Sequence, residues 1–290
     1  MRHETITLPY NGKTAKLTLY LLDDLNNQTT LLPRPAVLVI PGGGYHFVSP
    51  REAEPIALHF ASKGFHTAVL WYNTGEDVKY PQALCEAALA MAHLRTHALE
   101  YRLDSQRIFT CGFSAGGHLA LSLGVFCNLP LLAEVTGCPS EQLRPNAQIL
   151  AYPVVSSDPA VSHKGSFRYL LGEEATPEEL AYHSLEKQIH DQTPPTFLFT
   201  SQKDATVPCE NTLRLAVALQ EKKIPMELHF YGWGPHGFSD AQRTTQSILN
   251  LQKVGNQKSA DPHLATWIPL CLEWLEKNFP TPTPALEPEQ

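Results

Sequence analysis

Residues 107–123 leave this chain few folds to choose from. The run Arg107-Ile108-Phe109-Thr110-Cys111 has the length and the aromatic and β-branched content of a buried strand, and Gly117 to Leu123 reads as the start of a helix. Between them stands Gly112-Phe113-Ser114-Ala115-Gly116, a G-x-S-x-G sequence. A serine at so sharp a strand-to-helix turn has its hydroxyl lifted clear of the sheet, with the following N–H groups pointing towards it. The flanking glycines are required because a side chain at either place would clash in the turn. The pattern alone is weak, and its plainer reading is a Gly-rich helix N-terminus. The strand before it and the helix after it favour a nucleophile.

The rest of the chain repeats that strand-then-helix rhythm. Thr5 to Leu8 and Leu17 to Leu21 are β-rich and flank Asn11-Gly12, a hairpin signal. After a polar loop, Asp23 to Thr30, the continuous apolar run Pro35 to Ile40 suits a strand buried on both faces of a parallel sheet. The pattern then predicts a helix over 54–63 capped by Gly64, a strand over 66–72, a helix over 82–99 and, after the serine, a strand over 148–152. A strand over 196–200, a helix over 210–222, a strand over 226–231 and a helix from about His263 to Asn278 complete it. The fold class is therefore α/β, a mostly parallel eight-stranded sheet with helices on both faces. Residues 1–279 read as one domain. The polar, weakly helical segment 156–192 reads as a small insertion over the active-site edge, and the Pro-rich stretch 280–290 as a disordered tail.

Composition narrows the partners. Lys and Arg number 22 against 29 Asp and Glu, a net charge of -7 without a basic run, which argues against nucleic acid. No apolar stretch approaches the length of a membrane span, and the first residues lack the apolar core of a signal peptide. Six scattered cysteines, none in a C-x-x-C pair, fit a reduced, cytoplasmic protein without disulfides. Oligomeric state stays open.

A serine hydroxyl needs a base to take its proton and an acid to orient that base. Asp204 follows the strand 196–200 and His236 follows the strand 226–231, both at the edge that carries Ser114, in the chain order Ser, Asp, His. Among the rivals, Asp191 reads as a loop cap, Asp240 as a surface carboxylate and His118 as a packing residue of the helix after the serine. His93 and His97 have the i, i+4 spacing of zinc ligands, but Leu94 stands where H-E-x-x-H has glutamate, so no metal is expected. Directly after the strand 35–40 comes Pro41-Gly42-Gly43-Gly44-Tyr45. Its glycines let the main chain approach a substrate, and the absence of a following Lys-Ser/Thr argues against a phosphate loop. The N–H groups of Ala115, Gly43 and Gly44 are the candidate oxyanion hole.

Taken in order, Pro41-Gly42-Gly43-Gly44-Tyr45, Gly112 to His118, Asp204 to Pro208 and Pro235-His236-Gly237-Phe238 resemble the α/β-hydrolase esterases over about residues 33–279. The branch most alike is that of the small bacterial acetyl esterases and acetylxylan-esterase-like enzymes related to the hormone-sensitive-lipase group. The resemblance implies the α/β-hydrolase fold, Ser114 as nucleophile, His236 as base, Asp204 as its orienting acid and no cofactor. Pro41 stands where the lipase-type H-G-G-G motif has histidine, and Phe113 where the lipase-type elbow has an acidic residue. Both departures point away from the lipase-type branch.

For the substrate, the expectation is a small-molecule ester with a short acyl group, an acetylated sugar among the possibilities, since the insertion 156–192 offers no long apolar face. Tyr45, Trp71, Tyr72, Phe113 and Trp233, with Phe47, Tyr152 and Phe238, are candidates to stack on a sugar or wall in the acyl group, although core packing is the plainer role for each. Arg51-Glu52, after the glycine loop, could anchor a polar substrate, although a surface ion pair is the plainer reading. An arylformamidase or small amidase would share the elbow and glycine loop, because leaving-group preference lies in pocket shape. A non-catalytic small-molecule receptor is the reading from another class, disfavoured because all three triad residues are present.

Overall fold

A computed structural model describes residues 1–23, 33–246 and 260–282. The chain opens with β1 (Arg2–Tyr10) and β2 (Lys13–Leu21), joined at Asn11 (φ 47°) and Gly12 (φ 73°), the pair of positive φ angles that a two-residue hairpin turn requires. Then come β3 (Arg34–Ile40), α1 (Glu54–Ala61), β4 (His66–Trp71), α2 (Gln82–Thr96), α3 (Ala98–Tyr101) and β5 (Leu103–Phe113). After the serine follow α4 (Ala115–Phe126), α5 (Pro130–Thr136), α6 (Ser140–Leu143), β6 (Ala147–Ala151), α7 (Lys164–Leu171) and α8 (Pro177–Tyr182). The last elements are β7 (Thr196–Ser201), α9 (Glu210–Glu221), β8 (Met226–Tyr231) and α10 (Trp267–Asn278).

The strands form one eight-stranded sheet in the order β1-β2-β4-β3-β5-β6-β7-β8. β1 and β2 pair antiparallel, as do β2 and β4, and every later pairing is parallel. Alternate residues of each central strand feed opposite faces, as the two-residue period of a strand demands. Leu38, Ile40, Leu150 and Leu198 join a core with α2, α4 and α9, whereas Val37, Val39, Ile149, Phe197 and Phe199 join a second core with α1 and α10. Burial on both faces is why β3 reads as an unbroken apolar run.

The α/β, mostly parallel eight-stranded sheet expected from sequence is the architecture observed. Four details differ. β5 starts four residues earlier, at Leu103; the helix expected over 82–99 breaks after Thr96 into α2 and α3; α10 starts at Trp267, after a 3-10 turn at Leu264–Thr266; and α5, α6 and α7 had no counterpart in the sequence reading. The polar loop 23–30 falls almost wholly outside the described residues, and so does the tail from residue 283 on. Among the described residues no single helix is long and apolar enough to cross a membrane. All six cysteines are free.

Candidate active site

Four loops meet at the C-terminal ends of the parallel strands. They follow β3, β5, β7 and β8, and carry the glycines 42–44, Ser114, Asp204 and His236 respectively. Ser114 sits at φ 53°, ψ -119°, where a non-glycine residue is strained by on the order of 1–3 kcal/mol. The neighbouring glycines make that bend possible. A Cβ on Gly116 would run into the carbonyls of Ile40 and Pro41, and one on Gly112 into the carbonyl of Gly116. The elbow main chain is tied back by Ser114 N–H to the carbonyl of Ala151, at 2.9 Å.

His236 links the other two side chains. Its Nε2 lies 2.8 Å from Ser114 Oγ and its Nδ1 lies 2.6 Å from Asp204 Oδ2. Asp204 Oδ1 accepts the N–H groups of Thr206 and Val207, both at 2.9 Å, so the carboxylate is fixed, and its side chain is 1% exposed. A carboxylate at Nδ1 sets the tautomer: Nδ1 carries the hydrogen, and Nε2 is left to accept from the serine hydroxyl. Burial works against a charged His236, but the charge and hydrogen bond of Asp204, with Glu52 behind them, prevail over it and over Arg51. The imidazole pKa is raised from 6.5.

The glycine loop faces this pair across a cleft of about 350 Å³, which Gly43, Gly44, Ser114 and His236 line. Gly43 adopts φ 126°, and a Cβ there would run into the carbonyl of Phe47. Among the described residues the N–H groups of Gly43 and Gly44 have no protein acceptor. Ala115 is the first residue of α4, where the N–H has no acceptor within the helix. The N–H of Gly42 is engaged elsewhere, by Glu52 Oε2 at 3.0 Å.

Of the aromatic candidates, the five singled out first line no part of the cleft. Tyr45 is buried with its hydroxyl 2.8 Å from His118 Nδ1, Tyr72 donates to the carbonyl of Pro41 at 2.8 Å, and Phe113 packs beneath the sheet edge against Tyr152 and Trp267. Trp71 bonds Thr18 across the sheet, and the exposed Trp233 stacks on His263. Besides His236, the rings on the cleft are His46, Phe47, which was among the further candidates, His163 and Tyr169. His46 and Tyr169 stack with centroids 4.5 Å apart. His163 and Tyr169 come from the insertion 156–192, where the readable signal was the helical spacing of Phe167, Leu170 and Leu171 between two glycines.

Three further readings change. Asp240 is buried, not on the surface: it meets His59 Nε2 at 3.0 Å and accepts from the Thr245 hydroxyl. Asp191 caps nothing among the described residues and projects outward, its side chain 95% exposed. Glu52 is buried, not on the surface: its carboxylate accepts the N–H of Gly42 and the hydroxyl of Tyr152, and with Arg51 it lines the cleft. His118 does pack, bonding Tyr45 and the carbonyl of His183, and His93 stacks on His97.

A family model described as BD-FAE matches residues 22–219. Endo-1,4-beta-xylanase B of Butyrivibrio fibrisolvens is 39% identical over 216 residues, which are 72% of this chain and 33% of that protein. An acetylxylan esterase of Xylanibacter ruminicola is 29% identical over 269 residues, 89% of this chain and 53% of that one. The chain thus spans between a third and about half of the length of these two relatives. Among solved structures, the acetyl ester-xyloside bifunctional hydrolase of Caldicellulosiruptor lactoaceticus superposes with a TM-score of 0.77 at 31% identity, covering 94% of this chain and 91% of that one. The carboxylesterase Cest-2923 of Lactobacillus plantarum superposes at 0.82 and 27% identity, covering 98% and 100%. The match covers residues 22–219, more than half of the chain, and shows that the chain belongs to the BD-FAE family of α/β-hydrolases.

Proposed function

We propose that this protein is a carboxylic ester hydrolase that removes short acyl groups, acetyl above all, through an acyl-enzyme on Ser114. The observation that carries the reading is the unbroken chain from Ser114 Oγ through His236 to Asp204, at 2.8 and 2.6 Å, beside a glycine loop with free N–H donors. In this scheme Ser114 Oγ attacks the ester carbonyl carbon while its proton passes to His236 Nε2. Gly43, Gly44 and Ala115 N–H groups stabilise the resulting oxyanion. The alcohol leaves with the proton from His236; water, deprotonated by the same imidazole, then releases the acid and restores Ser114. No cofactor enters any step.

Acyl length and alcohol are argued from the cleft. Glycine main chain and polar side chains (Ser49, Arg51, Glu52, Thr206) share its wall with the rings of His46, Phe47 and Tyr169. Such a wall suits a small acyl group on a polar alcohol, and the acetylxylan esterase and acetyl ester-xyloside hydrolase among the relatives make an acetylated sugar the first class to try. A reducing, cytoplasmic setting belongs to the same proposal, on the scatter of six unpaired cysteines.

The test compares p-nitrophenyl acetate, butyrate and octanoate with wild type and Ser114→Ala. The expected result is activity on acetate that falls with chain length and drops by at least on the order of 10³-fold in the variant. Full activity in Ser114→Ala would remove the nucleophile, and a preference for octanoate would remove the short-acyl assignment.

A further inference from the structure

Glu52 occupies a place that ester hydrolysis itself does not require. It is 3% exposed, and each carboxylate oxygen is committed to a different loop. Oε2 accepts the N–H of Gly42 at 3.0 Å, at the root of the glycine loop. Oε1 accepts the hydroxyl of Tyr152 at 2.8 Å. That hydroxyl in turn accepts the N–H of Ser239 at 3.0 Å, three residues past His236, while the Tyr152 ring stands edge-on to the imidazole with centroids 5.0 Å apart. Arg51 binds the same loop from the other side: its guanidinium donates to the carbonyl of Gly237 at 2.9 Å, and its carbonyl accepts the Ser239 hydroxyl at 2.6 Å.

Burying a carboxylate is costly unless hydrogen bonds meet it, and bonds to an ionised acceptor are the stronger kind. Here one donor is in the glycine loop, and the other, Tyr152 after β6, is bonded in turn to Ser239 of the His236 loop; the separation of these two loops decides whether the oxyanion N–H groups and the base reach one carbonyl group together. Tyr152 is itself held at φ 36°, a strained angle that its surroundings must enforce.

We propose that Glu52 is a positioning residue: its carboxylate sets the register between the glycine loop and, through Tyr152 and Ser239, the loop that carries His236. The inference rests on the hydrolase reading above. Glu52 also places negative charge near the imidazolium that forms during reaction. Asp204 and Glu52 favour that cation from their sides, while Arg51 and His163 oppose it. Glu52→Gln removes the charge and supplies only one acceptor oxygen for two donors. Tyr152→Phe keeps the ring and cuts the link to Ser239.

The experiment measures kcat, KM and the acid limb of the pH profile on p-nitrophenyl acetate for wild type, both single variants and the double variant. In parallel it follows the rate at which a fluorophosphonate labels the serine. Misplacement of reacting groups by a fraction of an ångström predicts a loss in kcat of about 10-fold or more in each single variant, with KM little changed. The double variant is expected to be no slower than the slower single, because both break one network. In Glu52→Gln the acid limb moves to lower pH, which a merely structural role would not cause. Wild-type kcat and an unmoved limb in both variants overturn the inference; should Glu52→Gln fail to fold, wild-type kcat in Tyr152→Phe alone overturns it. If the wild type hydrolyses no ester, the hydrolase reading falls, and labelling rates equal to wild type in the variants overturn the role of Glu52 separately.

Discussion

The chemistry proposed for Ser114 depends on how its neighbours are held. The serine is exposed to the cleft at a strained backbone angle, and His236 reaches it only because Asp204 is itself pinned by two main-chain N–H groups. His236 must be neutral to accept the serine proton, and its pKa is raised because the charge and hydrogen bond of Asp204 outweigh the effect of burial. On this account kcat/KM falls as pH drops through a midpoint above 6.5. In Asp204→Asn the midpoint moves down as the partner charge disappears. The remaining activity falls by about 10⁴-fold, because the amide no longer fixes the Nδ1–H tautomer. A pH-rate profile of the two proteins checks both statements; an unshifted midpoint in the variant would dissociate Asp204 from the base.

At the scale of elements, the strands around the elbow were legible because each is an apolar run closed by a polar or glycine loop. The residues that matter chemically stand directly after those runs: Gly43 after β3, Ser114 after β5, Asp204 after β7 and His236 after β8. The cleft wall was legible only in part, in Gly43, Gly44 and Phe47. Tyr45 and Phe113 stand beside site residues in sequence and Tyr72 stands directly after β4, yet all three point into the cores, Tyr45 and Tyr72 held there by bonds to His118 and to the carbonyl of Pro41. Part of the rest comes from α7, a short helix whose anchors Phe167 and Leu170 turn inwards and leave Tyr169 against His46 on the cleft. Tyr169→Ala is therefore expected to raise KM several-fold for a bulky ester, with kcat little changed, as the ring lies on the wall and touches no member of the triad. Steady-state kinetics on acetate and on an acetylated sugar read the difference; a loss confined to kcat would place Tyr169 in the chemistry instead.

Across the whole molecule, the core behind the glycine loop carries two histidines that folding keeps neutral. Burial pushes His118 down to about 4 and His183 down to about 3, the second helped by the nearby charge His118 would carry. Both groups are depressed bases, so below about pH 6.5 the unfolded chain binds protons that the folded one does not. Their effect on stability is absent above pH 6.5, and stability declines as pH falls towards the folded values. The decline is roughly 1.4 kcal/mol per pH unit for each group over the range between. His236, with its raised pKa, acts in the opposite sense and contributes stability that is lost as pH rises. Urea unfolding at pH 7 and pH 5 measures the sum, and His183→Phe should flatten the acid slope; an equal slope in the variant would show that His183 is not the group being protonated. The central claim is that loops from four parallel strands converge to make Ser114 the nucleophile, and covalent trapping tests it most directly. The protein is treated with a fluorophosphonate and its peptides are mapped by mass spectrometry. The account predicts one adduct, on Ser114, appearing in step with loss of esterase activity and absent from His236→Ala. An adduct on another residue, or full inactivation with Ser114 unmodified, would contradict it.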